Sequence, residues 1–199
     1  MTDGILANST IADLASLPVS SPVSMILRHS ERIAITGVGD VFKAQLTQDG
    51  IAAAHQFGSD LARLRRLGRV MSSPVSRCVD TAVAIAEGAG FPEKVRVDDR
   101  LSHLQLQPVW RALPACCDFE NLPAGVADLI ELLLPQNKDD CGLDVFVTHD
   151  TLVGALAGYV TGLPVQGEAV PRFLEGMFLW QTDSTIHFWW RGKIIALAT

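Results

Sequence analysis

Residues 23–32, VSMILRHSER, place a short apolar run directly ahead of a charged cluster. The run Val23–Leu27 has the length and flanking residues of a buried strand, so we predict a strand that ends at Arg28. His29 and Arg32 then follow its carboxyl end. Because ligands of open α/β sheets bind beyond the carboxyl ends of the strands, this cluster is the first candidate for a functional site.

Two further predicted strands end in the same way. Arg69–Ser73 is a short strand candidate that leads to Arg77, and Leu143–Thr148 is an apolar strand that runs directly into His149 and Asp150. The carboxyl ends of parallel strands lie at one edge of a sheet. We therefore expect the three polar clusters to converge there.

Between these strands, apolar residues recur with helical spacing. We predict helices over residues 46–67 (with Thr47 near the start), 76–87, 124–134 and 151–159, and further strands at 95–97, 173–180 and 185–197. Strands that alternate with helices predict a mostly parallel sheet covered on both faces, an α/β fold. The last two strands should pair as a C-terminal antiparallel hairpin.

The chain of 199 residues contains no linker-like or repeated stretch, which predicts one domain over residues 22–199. Residues 1–21 become rich in Ser and Pro toward their end, and we expect them to form a loosely packed lead-in. They contain no continuous apolar stretch of the kind that a signal peptide needs.

Charge and cysteine usage narrow the partners and the compartment. The net charge of −6 argues against nucleic acid as the main partner, and no apolar run reaches the roughly 20 residues of a membrane span. The four cysteines are scattered and lack CxxC spacing. We therefore expect a cytoplasmic protein with reduced thiols, and we leave its oligomeric state open.

The converging residue types suit phosphate chemistry. The planar guanidinium groups of Arg28, Arg32 and Arg77 offer paired donors to phosphate oxygens. Of the two imidazoles, His29 and His149, one could attack phosphorus while the other donates to an equatorial oxygen. No histidine spacing typical of a metal site occurs, and a GxSxG nucleophile elbow and a Walker loop are both absent.

Taken in order, these motifs resemble the histidine phosphatase superfamily, which includes the cofactor-dependent phosphoglycerate mutases. Residues 27–32 resemble its RHG signature. The stretches that continue the resemblance are Leu46–Gly50, Ser72–Pro74, Arg77–Cys78, Thr81–Ala82 and Val147–Asp150.

The resemblance implies a three-layer α/β/α sandwich and a phosphatase without a cofactor or a metal. His29 would become the phosphohistidine, and Arg28, Arg32, Arg77 and His149 would form the phosphate pocket. The substrate would be a small phosphorylated compound or a phosphoprotein.

The sequence departs from the family pattern at two points. Ser30 stands where the signature has Gly, and residues 101–103 lack the Glu that mutase-like members use as the proton donor. Asp150 is the first candidate for the general acid and base, as in the acid-phosphatase-like members, and Glu31 is the second. Because an aspartic acid has a reference pKa of about 3.9, we expect activity biased toward acidic pH.

Two alternatives stay open at this point: a phosphate-binding scaffold without turnover, and a mutase-like phosphotransferase. Family members place substrate-selecting segments where this chain has residues 101–122. His103, Trp110 and Arg111 could therefore contact the leaving group, although Trp110 is equally suited to capping the core.

Overall fold

The strands and helices follow the predicted alternation. The structure, a computed structural model, describes residues 3–18, 20–37, 40–102, 124–136, 141–162 and 167–198. Its helices in these ranges are α1 (Asp3–Ser16), α2 (Gln48–Leu64), α3 (Ser76–Gly88), α4 (Ala124–Leu133) and α5 (Asp150–Thr161). Its strands there are β1 (Val23–Arg28), β2 (Leu67–Ser72), β3 (Arg96–Val97), β4 (Leu143–Thr148), β5 (Gly176–Thr182), β6 (Thr185–Trp190) and β7 (Lys193–Ala198).

The described strands form one sheet in the order β3-β2-β4-β1-β5-β6-β7. The strands β3, β2, β4 and β1 are parallel. β5 pairs antiparallel with β1, and β6 and β7 continue the sheet, each antiparallel to the strand before it. In the register of β4, Arg28 lies opposite Thr148 and Ser72 lies opposite Val147. The carboxyl ends of β1, β2 and β4 are therefore level, which confirms the predicted sheet and brings their following residues to one edge.

Successive residues of a strand face opposite sides of the sheet, and both sides of these strands are apolar. Helices therefore cover both faces. Ile26 of β1 packs with α4 and α5, whereas its neighbours Met25 and Leu27 pack with α1, α2 and α3. All three side chains are fully buried. The result is the expected three-layer α/β/α sandwich.

The start of α2 and its close packing on α3 both follow from the local sequence. The Thr47 hydroxyl accepts a hydrogen bond from the Gly50 amide (2.9 Å), which is the N-cap that the sequence predicts. About two turns further on, a side chain at Gly58 would collide with the Ile85 carbonyl of α3. Glycine at this position therefore allows the two backbones to approach.

The predicted loose lead-in over residues 1–21 is wrong where the structure describes it. Helix α1 occupies most of it, and Leu14 and Leu17 are buried in the core. The Ser/Pro-rich end is held by Arg65, which donates to the carbonyls of Pro18 (2.6 Å) and Ser21 (2.8 Å). That anchor lies more than 40 residues away in the sequence, so local composition could not reveal it. The assignment of residues 22–199 to one domain stays a prediction.

The C-terminal region departs from the predicted hairpin in two ways. The stretch 185–197 is two strands, because Arg191 and Gly192 form a tight turn with positive φ at both residues (48° and 77°). The strand before it begins at Gly176 rather than Phe173, since Leu174 has a φ of 57°, outside the range of a strand. The predicted pairing of β5 with β6 is confirmed.

Candidate active site

The three predicted clusters meet around one small cavity at the carboxyl edge of the sheet. Its volume is about 120 Å³, below the roughly 300–1,000 Å³ of ordinary ligand pockets. Its lining residues are Arg28, His29, Arg32, Ile35, Val41, Arg77, His149, Asp150 and Thr151. A cavity of this size with three guanidinium groups in its wall suits one phosphoryl group.

The hydrogen bonds of His29 define which ring nitrogen is free to react. Its Nδ1 lies 2.7 Å from the Ser30 carbonyl, which can only accept, so Nδ1 carries the proton. The Nε2 atom accepts a hydrogen bond from Arg77 Nε (3.0 Å), so Nε2 carries the lone pair. The neutral imidazole thus presents its nucleophilic nitrogen to the arginine-lined cavity.

The surroundings of His29 keep this imidazole neutral. Burial is the largest of the effects that together lower the pKa of His29 to about 3; the charges of Arg77, Arg28 and Arg32 also lower it, and the Ser30 carbonyl opposes them. The side chain is only 2% exposed, so little solvent is available to stabilise an imidazolium ion.

Arg77 joins the two histidines. Besides its bond to His29, it donates from Nη2 to His149 Nδ1 (3.1 Å) and from Nη1 to the Val41 carbonyl (2.7 Å). Because arginine only donates, His149 Nδ1 is an acceptor and the proton of the neutral ring lies on Nε2, 3.2 Å from the Ser73 hydroxyl. The ring centroids of the two histidines are 5.7 Å apart.

Arg28 and Asp150 form an ion pair at the opposite side of the cavity. Arg28 Nη2 lies 2.9 Å from Asp150 Oδ2, and Nη1 donates to the Pro171 carbonyl (2.8 Å). The second oxygen, Oδ1, accepts from the Thr151 amide at the start of α5 (2.8 Å). The Asp150 side chain is 30% exposed, so it is open both to the cavity and to solvent.

Ser30, which replaces the glycine of the signature, is built into the turn behind His29. Its hydroxyl donates to the Gly50 carbonyl (2.7 Å) and its amide donates to the Thr81 hydroxyl (3.0 Å). A side chain at Gly50 would collide with the Glu31 carbonyl, so this turn and the start of α2 require a glycine on the helix side. The serine therefore adds a hydrogen bond without blocking the cavity.

The structure brings together most of the residues that the sequence singled out. Arg28, His29, Arg32, Arg77, His149 and Asp150 all line the cavity. Glu31 does not line it; instead its carboxylate accepts a hydrogen bond from Thr47 (3.2 Å). His103, Trp110 and Arg111 lie outside the described residues.

Sequence reasoning missed three contributors. Phe173 lies with its ring centroid 4.2 Å from Arg28 Cζ and 5.7 Å from the His29 ring centroid. The Cys78 sulfur is 3.6 Å from His149 Nε2, and burial raises the pKa of this thiol to about 12. Ser73 was noted at a strand end, but its bond to His149 was not foreseen. Their partners are 70 or more residues away, so spacing along the chain carried no signal.

Fold and site together define an α/β protein with two buried histidines and three arginines around one cavity. The family model for the histidine phosphatase superfamily (branch 1) matches residues 25–113, the part that supplies Arg28, His29, Arg32 and Arg77. Over these residues the chain is similar to the histidine phosphatase superfamily. No curated protein sequence gives a significant match.

Solved structures share the fold at low sequence identity. YhfR from Bacillus stearothermophilus is 16% identical, with a TM-score of 0.59 over 86% of this chain and 97% of its own. SixA from Agrobacterium tumefaciens is 18% identical, with a TM-score of 0.53 over 83% and 94% of the two chains. A mycobacterial glucosyl-3-phosphoglycerate phosphatase is 21% identical, with a TM-score of 0.50 over 80% and 90%.

Proposed function

We propose that the protein is a phosphomonoesterase that works through a covalent phosphohistidine on His29 without a metal ion. The observation that carries this proposal is the Nε2 lone pair of a neutral, buried His29 in a small cavity lined by three arginines. A neutral imidazole is a competent nucleophile, and the arginines supply charge where the transferring phosphoryl group needs it.

The hydrogen bonds of the two imidazole rings favour His29 over His149 as the nucleophile. The Nδ1–H group of His29 donates to a backbone carbonyl, which leaves the lone pair on Nε2, toward the cavity. Both nitrogens of His149 contact side chains, Ser73 and Arg77, and this ring can donate to a phosphoryl oxygen once it gains a second proton. His149 is therefore assigned to charge stabilisation.

In the first step the substrate phosphate enters among Arg28, Arg32 and Arg77. Its oxygens take over guanidinium donors that now bond to protein acceptors, including the donor of Arg77 on His29 Nε2. Asp150, released from Arg28 by the phosphate, takes up a proton from solvent. The freed Nε2 attacks phosphorus, the bond from phosphorus to the leaving oxygen breaks, and the protonated Asp150 gives its proton to that oxygen. The phosphoryl group is then on His29.

In the second step water attacks the phosphohistidine and Asp150 accepts its proton. The nitrogen–phosphorus bond breaks, and inorganic phosphate and neutral His29 are restored. The proton on His29 Nδ1 stays hydrogen-bonded to the Ser30 carbonyl throughout, so the ring returns in its reactive tautomer. Because the carboxylate of Glu31 contacts Thr47 and does not line the cavity, Asp150 is the better candidate for this proton transfer.

The size of the cavity indicates that only the phosphoryl group is enclosed and that the rest of the substrate lies at its mouth. The substrate class we propose is a small phosphorylated compound or a phosphoprotein, and one protein of similar fold is a glucosyl-3-phosphoglycerate phosphatase. Cytoplasmic location, independence of cofactors and the lack of a nucleic-acid or membrane partner stay predictions. Among the described helices, none is long and apolar enough to span a bilayer.

The decisive experiment measures hydrolysis of para-nitrophenyl phosphate between about pH 4 and 8, with EDTA, by the wild-type protein and His29→Ala. We expect turnover in the wild type and a loss of at least about a thousandfold in the variant, since the nucleophile itself is removed. His55→Ala is the matched control, because His55 is exposed on α2 and does not line the cavity. Intact mass spectrometry should also find one added phosphoryl group on the wild type.

Four outcomes would contradict parts of this proposal. Turnover that survives in His29→Ala excludes a phosphohistidine at that residue. Inhibition by EDTA excludes a metal-independent reaction. Phosphate binding without turnover of any tested phosphomonoester favours a scaffold, and transfer between positions of phosphoglycerate without phosphate release favours a mutase.

A further inference from the structure

We infer that Phe173 is the positioning residue for Arg28, holding its guanidinium group toward the phosphate. The inference rests on the proposed function and extends it to a residue outside the cavity wall. Phe173 does not line the cavity, whereas Arg28 does, and its ring lies closer to the Arg28 guanidinium (4.2 Å from Cζ) than to the His29 ring (5.7 Å between centroids). We therefore infer that its influence on phosphate passes mainly through the arginine.

Three of the contacts that hold the guanidinium of Arg28 differ in kind. Asp150 forms an ion pair with it at 2.9 Å, the Pro171 carbonyl accepts from it at 2.8 Å, and the Phe173 ring lies across its face with 4.2 Å from Cζ to the centroid. The face of an aromatic ring attracts a cation through its quadrupole, most strongly when solvent is reduced. The Arg28 side chain is 14% exposed, so this attraction is only partly screened.

These contacts behave differently when an anion arrives. A phosphate competes directly with the Asp150 carboxylate for Arg28, because both are anions that bind the same donors. The Phe173 ring carries no charge and binds the face of the guanidinium, while hydrogen bonds form at its edge. The ring therefore keeps its contact when the ion pair opens, and it limits the rotation of Arg28 at that moment.

The backbone around Phe173 is built onto β1 itself. The Leu174 amide donates to the Arg28 carbonyl (3.2 Å), and the Arg28 amide donates to the Glu175 carbonyl (3.0 Å). Glu175 is held in turn by Arg191, with 2.6 Å from Oε1 to Nε. The residue that carries the ring is thus fixed to the strand that carries the arginine, which is the geometry that a positioning role needs.

The test measures the dissociation constant of inorganic phosphate by calorimetry for the wild type, Phe173→Leu and Phe173→Tyr. Phe173→Leu removes the aromatic face and keeps an apolar side chain, so we expect binding to weaken about five- to tenfold. Phe173→Tyr keeps the face and should bind within about twofold of the wild type. Phe91→Leu, at a half-buried phenylalanine that does not line the cavity, should leave phosphate affinity unchanged.

A double-mutant cycle separates positioning from a general structural role. If the ring acts through the guanidinium, Phe173→Leu should add nothing to the weakening caused by Arg28→Met. An equal effect of Phe173→Leu in both backgrounds, or wild-type affinity in Phe173→Leu, would overturn the inference. A wild-type protein that does not bind phosphate contradicts the proposed function instead. Thermal unfolding of each variant identifies any that has lost its fold.

Discussion

Two arginines of the central sheet, Arg28 and Arg69, make the same kinds of contact at opposite ends of the parallel strands. Each pairs with an aspartate, donates to a backbone carbonyl and lies over a phenylalanine ring. Arg28 ends β1 and lines the cavity, whereas Arg69 lies near the start of β2 and away from it. The same local chemistry therefore serves two purposes.

The ion pair of Arg69 with Asp144 does not line the cavity. Its guanidinium lies 2.6 Å from Asp144, donates to the Leu134 carbonyl at 2.9 Å and has Cζ 5.1 Å from the Phe146 centroid. Both charged side chains are about equally buried, at 11% and 12% exposed. With all its partners inside the fold, this ion pair connects β2 to β4 and α4, and its contribution is to stability.

The ion pair of Arg28 with Asp150 is open to the cavity. Asp150 is 30% exposed against 12% for Asp144, and both members of the Arg28 pair face the cavity. A buried pair with no access to a ligand is fixed, whereas a pair in a cavity wall can exchange one partner for an anion. The comparison teaches that position on the sheet, rather than the residue types, decides whether such a group binds a ligand.

The largest expected contrast compares Asp150→Asn with Asp144→Asn. Asp150→Asn removes the proposed acid, so turnover of an alkyl phosphate should fall about 10²- to 10⁴-fold. It should fall less for para-nitrophenyl phosphate, whose leaving group needs little protonation. Asp144→Asn should instead leave turnover within about threefold and lower the free energy of unfolding by about 1–3 kcal/mol. Steady-state kinetics and urea unfolding of both variants measure the contrast.

Equal losses of Asp150→Asn on alkyl and aryl phosphates would remove Asp150 as the general acid. A large loss of turnover in a stably folded Asp144→Asn would show that the distant pair is coupled to the site after all.

The next contrast compares Arg28→Met with Arg69→Met. Arg28→Met loses one donor to the transferring phosphoryl group, and we expect kcat/KM to fall about 10²- to 10³-fold. Arg69→Met leaves the buried Asp144 without its partner, which should cost about 3–5 kcal/mol of stability. Activity of the folded fraction should stay near that of the wild type. The comparison fails if the two variants lose activity to a similar degree at a temperature where both are folded.

The last prediction concerns how the free energy of unfolding depends on pH through His29. The folded state lowers the pKa of His29 to about 3, below its value in the unfolded chain. The unfolded chain therefore binds this proton first, so stability is complete above about pH 6.5 and is lost as the pH falls toward 3, by at most about 1.4 kcal/mol per pH unit.

His29→Asn should remove that part of the pH dependence in urea unfolding between about pH 7 and 4.5. His55→Asn, which removes an exposed imidazole instead, should keep the wild-type slope. An unchanged slope in His29→Asn would mean that this imidazole does not stay neutral in the folded protein.

Much of the site could be predicted because its polar residues directly follow strands. Arg28 with His29, and His149 with Asp150, are encoded next to apolar runs, and parallel pairing then brings the strand ends level. Glu31 shows the limit of that reasoning. It is adjacent to the same strand end, yet its carboxylate contacts Thr47, since neighbours along an extended chain point in different directions.

The sequence by itself determined the α/β class, the order of the main elements and the set of charged residues at the carboxyl edge. It could do so because periodicity and strand-end position are local properties. Only the tertiary structure decided the tautomers of the two histidines, the contact of Phe173 with Arg28 and the contrast between the two arginine groups. Those features depend on residues far apart in the chain, which packing alone brings within a few ångströms.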